Sequence, residues 1–219
     1  MDDHKWEDGP SNSGGSYHGE VTVREALNRS LNTVAWQILS DIGVNFGLEY
    51  LGQMDFQRIT YIDNNIPSLS IGGFTNGLRV VDMAKGYSTL ANCGIYDDRT
   101  CIVRLEHEQQ GDLTRAIKPQ ARHVYQEDTA YMITDILKGT LNEPFGTGRG
   151  LALSGNMPAA GKTGTTNSSK DTWFCGYTRY YTTSVWVGYD IPRAMPGVFG
   201  STYAGRIWKR VMDQIHAGL

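Results

Sequence analysis

Two segments rich in Thr, Tyr, Trp, Phe and Val, Thr172 to Thr178 and Thr182 to Tyr189, stand only a few residues apart. Their composition is that of strands. A parallel crossover takes a dozen or more residues, so two strands this close must pair antiparallel. A short apolar segment, Ala159 to Gly164, precedes them and reads as a third strand. Behind them, Tyr203 to Ala217 sets Ala204, Ile207, Trp208, Val211, Met212 and Ile215 on one helical face. That face has to cover something, and a sheet is its natural partner. The chain upstream is mainly helical in pattern. The order is helices, then three antiparallel strands, then a covering helix, which is an α+β fold.

The helical part has legible boundaries. Thr22 followed by Glu25 is a capping-box pattern and predicts a short helix ending near Arg29 or Ser30. A second helix is expected after Asn32 or Thr33, stopping at Gly43, and a third over Asn45 to Gln53. Arg58 to Asn76 is dominated by turn formers and reads mostly as loop. Leu78 to Ala91 carries an apolar stripe of Val80, Met83, Ala84, Tyr87, Leu90 and Ala91. Ile95 to Glu106 alternates in a strand-like way around Asp97-Asp98, and Gln109 to Arg122 has no clear period. Asp128 is placed to cap a helix running to Leu141. Residues 1–19 are polar and read as an extended lead-in; 20–157 form the mainly helical part, and 158–219 the strands and covering helix.

Several function classes fall away. A chain of 219 residues, 40% hydrophobic, can bury a sizeable core in one large domain or two small ones. Its formal charge of −3 offers no electrostatic footprint for nucleic acid. No apolar run approaches the ~20 residues that span a bilayer, and the polar head carries no export signal. Cys93, Cys101 and Cys175 lack metal-ligand spacing, and the five histidines are scattered, so no metal and no cofactor is expected. Cys93 and Cys101 could face each other across a hairpin, but three small buried apolar residues is the expectation.

Two short segments carry chemistry. The first is Gly161-Lys162-Thr163-Gly164-Thr165-Thr166, at the end of a predicted strand. A lysine on an otherwise apolar strand is costly to bury unpaired. Bracketing glycines let another group approach the backbone. With Thr165 and Thr166 bringing hydroxyls and backbone N–H groups to the same place, the strand end reads as an anion cradle suited to a peptide carboxylate. The alternative is a strand end turning into a polar loop. A phosphate-binding loop is rejected, because its first glycine would fall at Asn156 and no confident helix follows Thr163. The second segment is Ser30-Leu31-Asn32, at a helix–helix junction. Alone, these residues read as caps.

Together, Ser-x-Asn and Lys-Thr-Gly belong to the motif set of penicillin-binding proteins and class A β-lactamases. The chain resembles the transpeptidase domain of bimodular (class A) penicillin-binding proteins. The likeness runs through YHGEVTVREALNRSLNTVAWQIL, LSIGGFTNGLRVVDMAKGYSTLANCGIY, DTAYMITDILKGTL, FGTGRG, AAGKTGTTNSSKDTWFCGYTRYYTTSVWVGYD and AGRIWKRVM. The resemblance implies a β-lactamase/transpeptidase-like fold with a helical subdomain, and a site that cross-links peptidoglycan stem peptides and is acylated by β-lactam antibiotics. It implies that Ser30 relays a proton toward the leaving amine. Asn32 would hold the substrate backbone, Lys162 would supply positive potential and partner Ser30, and Thr163 and Thr165 would receive the terminal carboxylate along the strand edge that includes Gly164. The backbone N–H of Thr165 would be an oxyanion-hole donor.

The family's nucleophile lies in a Ser-x-x-Lys motif, and no serine of this chain has Lys three positions on. In the family that motif precedes Ser-x-Asn by some tens of residues. The expectation is therefore a C-terminal portion of the domain, without its first strands and nucleophile helix, inactive alone and able to reassociate with the missing N-terminal half. The resemblance places the parent protein's site on the outer face of the bacterial cell membrane. Two other readings stay open: a serine β-lactamase-like hydrolase, and a non-catalytic truncated or binding relic.

Overall fold

The computed structural model describes residues 1–98, 101–114 and 121–219. The chain opens with β1 (Asp2–Asp3), which pairs antiparallel with β2 (Gly19–Glu20). Three helices follow: α1 (Val23–Arg29), α2 (Asn32–Ile42) and α3 (Val44–Gln53). Thr22 caps α1 by accepting the Glu25 amide at 3.1 Å, and Gly43 ends α2 at φ 88°. Next come the short α4 (Ile66–Ser70) and the longer α5 (Val80–Ala91).

Four two-residue strands link α5 to the long helix α6 (Glu127–Asn142). They are β3 (Ile95–Tyr96), β4 (Glu106–His107), β5 (Gly111–Asp112) and β6 (Arg122–His123). The main sheet is β7 (Ala160–Thr165), β8 (Asp171–Tyr177) and β9 (Thr182–Gly188), antiparallel and in sequence order. The helix α7 (Tyr203–Ile215) closes the chain.

The sheet is packed on both faces. On one, Phe174 meets Trp208 and Met212 of α7, with Leu141, Leu151 and Leu153 filling the space around them. On the other, Ala160 and Tyr177 pack with Leu137 and Ile133 of α6 and with Tyr87 and Leu90 of α5. Layering of this kind follows from period-two strands, which turn alternate residues to opposite faces. Across the sheet, Lys162 stands opposite Cys175 and Cys175 opposite Ser184, while Thr163 stands opposite Phe174. The helical part thus packs on the sheet face away from α7, and its α1–α2 junction comes up beside β7.

Several local expectations are corrected. Arg58 to Asn76 is more ordered than loop: Thr60 and Asp63 cap a helical turn at Tyr61–Asp63, and α4 follows. The Asp63 carboxylate accepts the Thr75 amide at 2.7 Å and the Thr60 amide at 2.7 Å. Those bonds hold its pKa down, at about 2. Ile95–Tyr96 takes its partner from Arg122–His123, so its alternation marks a long-range pairing rather than a local hairpin arm. Part of the stretch from Gln109 to Arg122 lies outside the described residues.

Asp128 sits in the first turn of α6, not at its cap, where Gln126 stands. A carboxylate there still favours the helix dipole. Cys93 and Cys101 are exposed and only Cys175 is buried; none forms a disulfide. Of the apolar face read on α7, Ala204, Trp208 and Met212 are wholly buried. The neighbouring row is not: Tyr203, Ile207, Val211 and Ile215 remain 58%, 46%, 39% and 40% exposed. One helix offers two apolar rows, and the sheet covers only the first.

Candidate active site

The sheet ends in β7, whose outer edge pairs with nothing among the described residues. Such an edge is a template for an extended peptide. Lys162 lies in the middle of this strand, and its side chain runs on the face toward the helical part. There its Nζ donates to Ser30 Oγ at 2.7 Å and to the Thr163 carbonyl at 3.0 Å. The 132 positions between Ser30 and Lys162 are closed by folding alone. Burial pushes the lysine down to about 8, so it stays mostly protonated at neutral pH.

Ser30 reaches the lysine because α1 stops there. Its backbone is left-handed, φ 60° and ψ 48°, and its amide bonds back to Ala26 and Leu27 as the helix cap. This turn aims the hydroxyl away from both helices. Asn32 begins α2 one residue after Leu31, and its Nδ2 donates to the Ser11 carbonyl at 2.9 Å. That bond leaves the amide oxygen of Asn32 as the group free to meet a donor.

Asp3, wholly buried, ties the lead-in to the same junction. It accepts from Asn12 Nδ2 at 2.6 Å, from the His18 amide at 2.9 Å and from the hydroxyl of Thr33.

Thr163 and Thr165 point to the α7 face, opposite to Lys162, and Gly164 lies between them on the lysine's side. Each hydroxyl is met by a loop. Thr163 Oγ1 and Thr147 Oγ1 are 2.7 Å apart, and Gly200 N–H donates to Thr165 Oγ1 at 3.0 Å. Gly200 has to be glycine, because a Cβ there would stand 2.7 Å from the Gly164 carbonyl oxygen and 2.5 Å from that of Trp173. Cys175, across the ladder from Lys162, is a buried thiol pushed up to about 11 by desolvation, so it is neutral and no nucleophile at ordinary pH.

Thus Ser30, Lys162, Thr163, Gly164 and Thr165 meet at one strand edge, with Asn32 on the adjoining junction. Two further residues belong to this constellation and were not singled out by sequence: Thr147 and Asn28. Asn28 is wholly buried; its carbonyl accepts the Thr147 amide at 3.1 Å and its side-chain oxygen the Thr140 hydroxyl at 3.3 Å. Arg29 lies 4.6 Å over the ring of Phe145. The end of α1 is therefore clamped to the 145–149 loop by the two residues just before Ser30. The signal for Thr147 lay in FGTGRG, a segment whose glycines mark a close backbone approach. Asn28 carried none, since one Asn inside a helix looks like a surface residue.

The penicillin binding protein transpeptidase domain model matches residues 1–213. The chain belongs to that family. A penicillin-binding protein 1A from Clostridium botulinum is 35% identical over 210 residues, covering 96% of this chain and 25% of the relative. One from Neisseria flavescens is 35% identical over 209 residues, covering 91% and 25%. This transpeptidase chain spans about a quarter of the length of these curated relatives.

Among solved structures, PonA1 from Mycobacterium tuberculosis in complex with penicillin V superposes with a TM-score of 0.79 at 26% identity, over 95% of this chain and 60% of that one. Penicillin-binding protein 1A from Haemophilus influenzae gives 0.82 at 21% identity over 99% and 38%, a likeness of fold alone. The α+β, β-lactamase/transpeptidase-like architecture is thereby established for this chain.

Proposed function

We propose that this chain forms the substrate-holding side of a peptidoglycan D,D-transpeptidase site, whose nucleophilic serine comes from a segment outside these 219 residues. The observation that carries this reading is the 2.7 Å bond from Lys162 Nζ to Ser30 Oγ, made at an open strand edge. The substrate is a stem peptide ending in D-Ala-D-Ala, and a β-lactam takes its place as an inhibitor. The terminal carboxylate is drawn by the Lys162 ammonium to the hydroxyls of Thr163 and Thr165.

The peptide backbone lies along β7 past Gly164, where no side chain blocks it, and meets the side chain of Asn32. The external serine attacks the scissile carbonyl, and the backbone N–H of Thr165 stabilises the oxyanion, an effect of several kcal/mol in such sites. Ser30 passes the proton to the departing D-Ala amine, and Lys162 holds the Ser30 hydroxyl ready for it. The acyl group then passes to the amine of a second stem peptide.

The N-terminal strands that the family likeness implies would add at the far edge of the sheet. Among the described residues β9 is the sheet's other edge, and the row Tyr203, Ile207, Val211 and Ile215 on α7, which packs on β8 and β9, is left uncovered. An N-terminal half supplied as preceding chain or as a separate polypeptide would pair with β9 and cover that row. In the parent protein the site would stand at the outer face of the bacterial cell membrane; no helix among the described residues is long and apolar enough to cross one. No nucleic acid partner is proposed.

Fluorescent penicillin on a denaturing gel tests the reading. The isolated chain should take no hydroxylamine-sensitive label, and addition of an N-terminal half carrying Ser-x-x-Lys should restore one label per complex. Stoichiometric labelling of the chain alone would contradict the assignment, as would absence of labelling in the reconstituted pair.

A further inference from the structure

Between α6 and β7 the chain crosses from one face of the sheet to the other. Leu137 of α6 packs on the face that Lys162 shares, and Leu151 packs on the α7 face. Thr147 stands in this crossing and is held on two sides. Its amide donates to the Asn28 carbonyl of α1 at 3.1 Å, and its hydroxyl lies 2.7 Å from that of Thr163 on β7. Asn28 comes two residues before Ser30, and Thr163 directly follows Lys162. With the bond from Lys162 Nζ to Ser30 Oγ, the contacts close a ring: Asn28 to Thr147, Thr147 to Thr163, Lys162 to Ser30, and back along the chain to Asn28.

The ring matters because the bond it encloses is easily lost. A lysine ammonium rides on a flexible four-carbon stem. The packing of α1 relates it to β7 only through α6, on which both lie. A side-chain contact of 2.7 Å between two such elements persists where the backbones at both ends are fixed by something else. Thr147 supplies that second tie, and Arg29, stacked 4.6 Å over Phe145, braces the same loop.

We propose that Thr147 is a positioning residue, which ties the end of α1 to β7 and so keeps Ser30 Oγ within hydrogen-bond reach of Lys162 Nζ. The assignment deepens the function proposed above for that pair and rests on it. Thr147 touches no substrate and acts through Lys162 and Ser30. Threonine suits the place because its amide serves one element while its hydroxyl, donor or acceptor as required, serves the other. Valine keeps the shape and loses the hydroxyl; serine keeps the hydroxyl.

Titration of Lys162 Nζ in the full chain, followed by 15N NMR and assigned by its loss in Lys162→Arg, reads the contact directly. The acids of the surrounding layer do not interfere. Burial pushes Cys175 of β8 up to about 11, Tyr177 of β8 to about 12, and Tyr87 of α5 well above its ordinary value. The neighbours from α1 and α6 in this layer, Leu27, Ile133 and Leu137, carry no charge. Ser30→Ala should lower the midpoint by about one pH unit, because the ammonium loses a charge-assisted acceptor. Thr147→Val should lower it by about half as much, and Thr147→Ser should leave it in place. In the Ser30→Ala background, Thr147→Val should add nothing. Thr163→Val removes the same bond from the strand side and should match Thr147→Val, which keeps the test decisive if one of them folds poorly. A midpoint unmoved by both valine variants, or a shift that adds in full to that of Ser30→Ala, overturns the proposal and leaves Thr147 a loop fastener. Penicillin labelling of the chain reconstituted with its N-terminal half should slow about tenfold in Thr147→Val and recover in Thr147→Ser. A titration that moves as stated beside unaltered labelling would keep Thr147 in this role and end the reading of Ser30 as proton relay.

Discussion

Ser30 holds a left-handed backbone, a conformation that costs a residue with a Cβ roughly 1 kcal/mol. Glycine would sit there without that cost but would leave Lys162 without its hydroxyl partner. Ser30→Gly and Ser30→Ala both delete the hydroxyl, so the difference between them isolates the backbone. The glycine variant should be the more stable by about 1 kcal/mol in urea unfolding, and both should bind a β-lactam more weakly than the parent.

Lys162 supplies a second expectation at this scale. Burial lowers it to about 8, so affinity for a carboxylate ligand should fall as pH rises through about 8, followed by calorimetry from pH 6.5 to 9.5. The sign for stability is opposite. The unfolded chain keeps this proton up to the ordinary value of 10.5 and the folded chain releases it near 8, so this residue's contribution to stability rises with pH between those values. A 15N-detected titration of the Nζ gives the value directly.

At the scale of elements, boundaries were legible wherever they rest on local chemistry. Thr22 as a cap, Gly43 as a stop and the three strand compositions read correctly because each signal acts within a few residues. What sequence did not disclose depends on partners far along the chain. The pairing of Ile95–Tyr96 with Arg122–His123 is of this kind, as is the role of Asp3. Asp3 looks like one more acidic residue in a polar head, yet it is wholly buried and fastens residues 1–19 to the start of α2.

Asp3→Ala should remove one bond each from Asn12, Thr33 and the His18 amide and cost about 2–5 kcal/mol, in the range for breaking a buried polar network. Limited proteolysis should then cut between residues 4 and 18 before any cut elsewhere. Retained protection in that segment would show that β1–β2 pairing alone suffices.

For the whole molecule, the two rows of α7 decide how the chain behaves alone. The inner row was predictable from its period, and so was its cover, the sheet. That the outer row stays uncovered was not, since periodicity reports apolar faces and not how many partners exist to bury them. With β9 also an unpaired edge among the described residues, the chain should self-associate at high concentration. Replacing Ile207 and Val211 by Glu should lower the sedimentation mass to that of the 24.3 kDa monomer without loss of thermal stability. Unchanged association would move the sticky surface elsewhere. Trp208→Ala, on the inner row, should instead cost about 3–5 kcal/mol and abolish cooperative melting near physiological temperature.

Cys175 sits across the ladder from Lys162 with its thiol shut away, while Cys93 and Cys101 face solvent. A brief pulse of alkylating reagent will therefore count two fast sulfhydryls in any intact preparation, and a third only when the layer behind the lysine opens. The polypeptide carries its own gauge of whether its centre is assembled, readable by mass spectrometry with no probe attached and no substrate in hand.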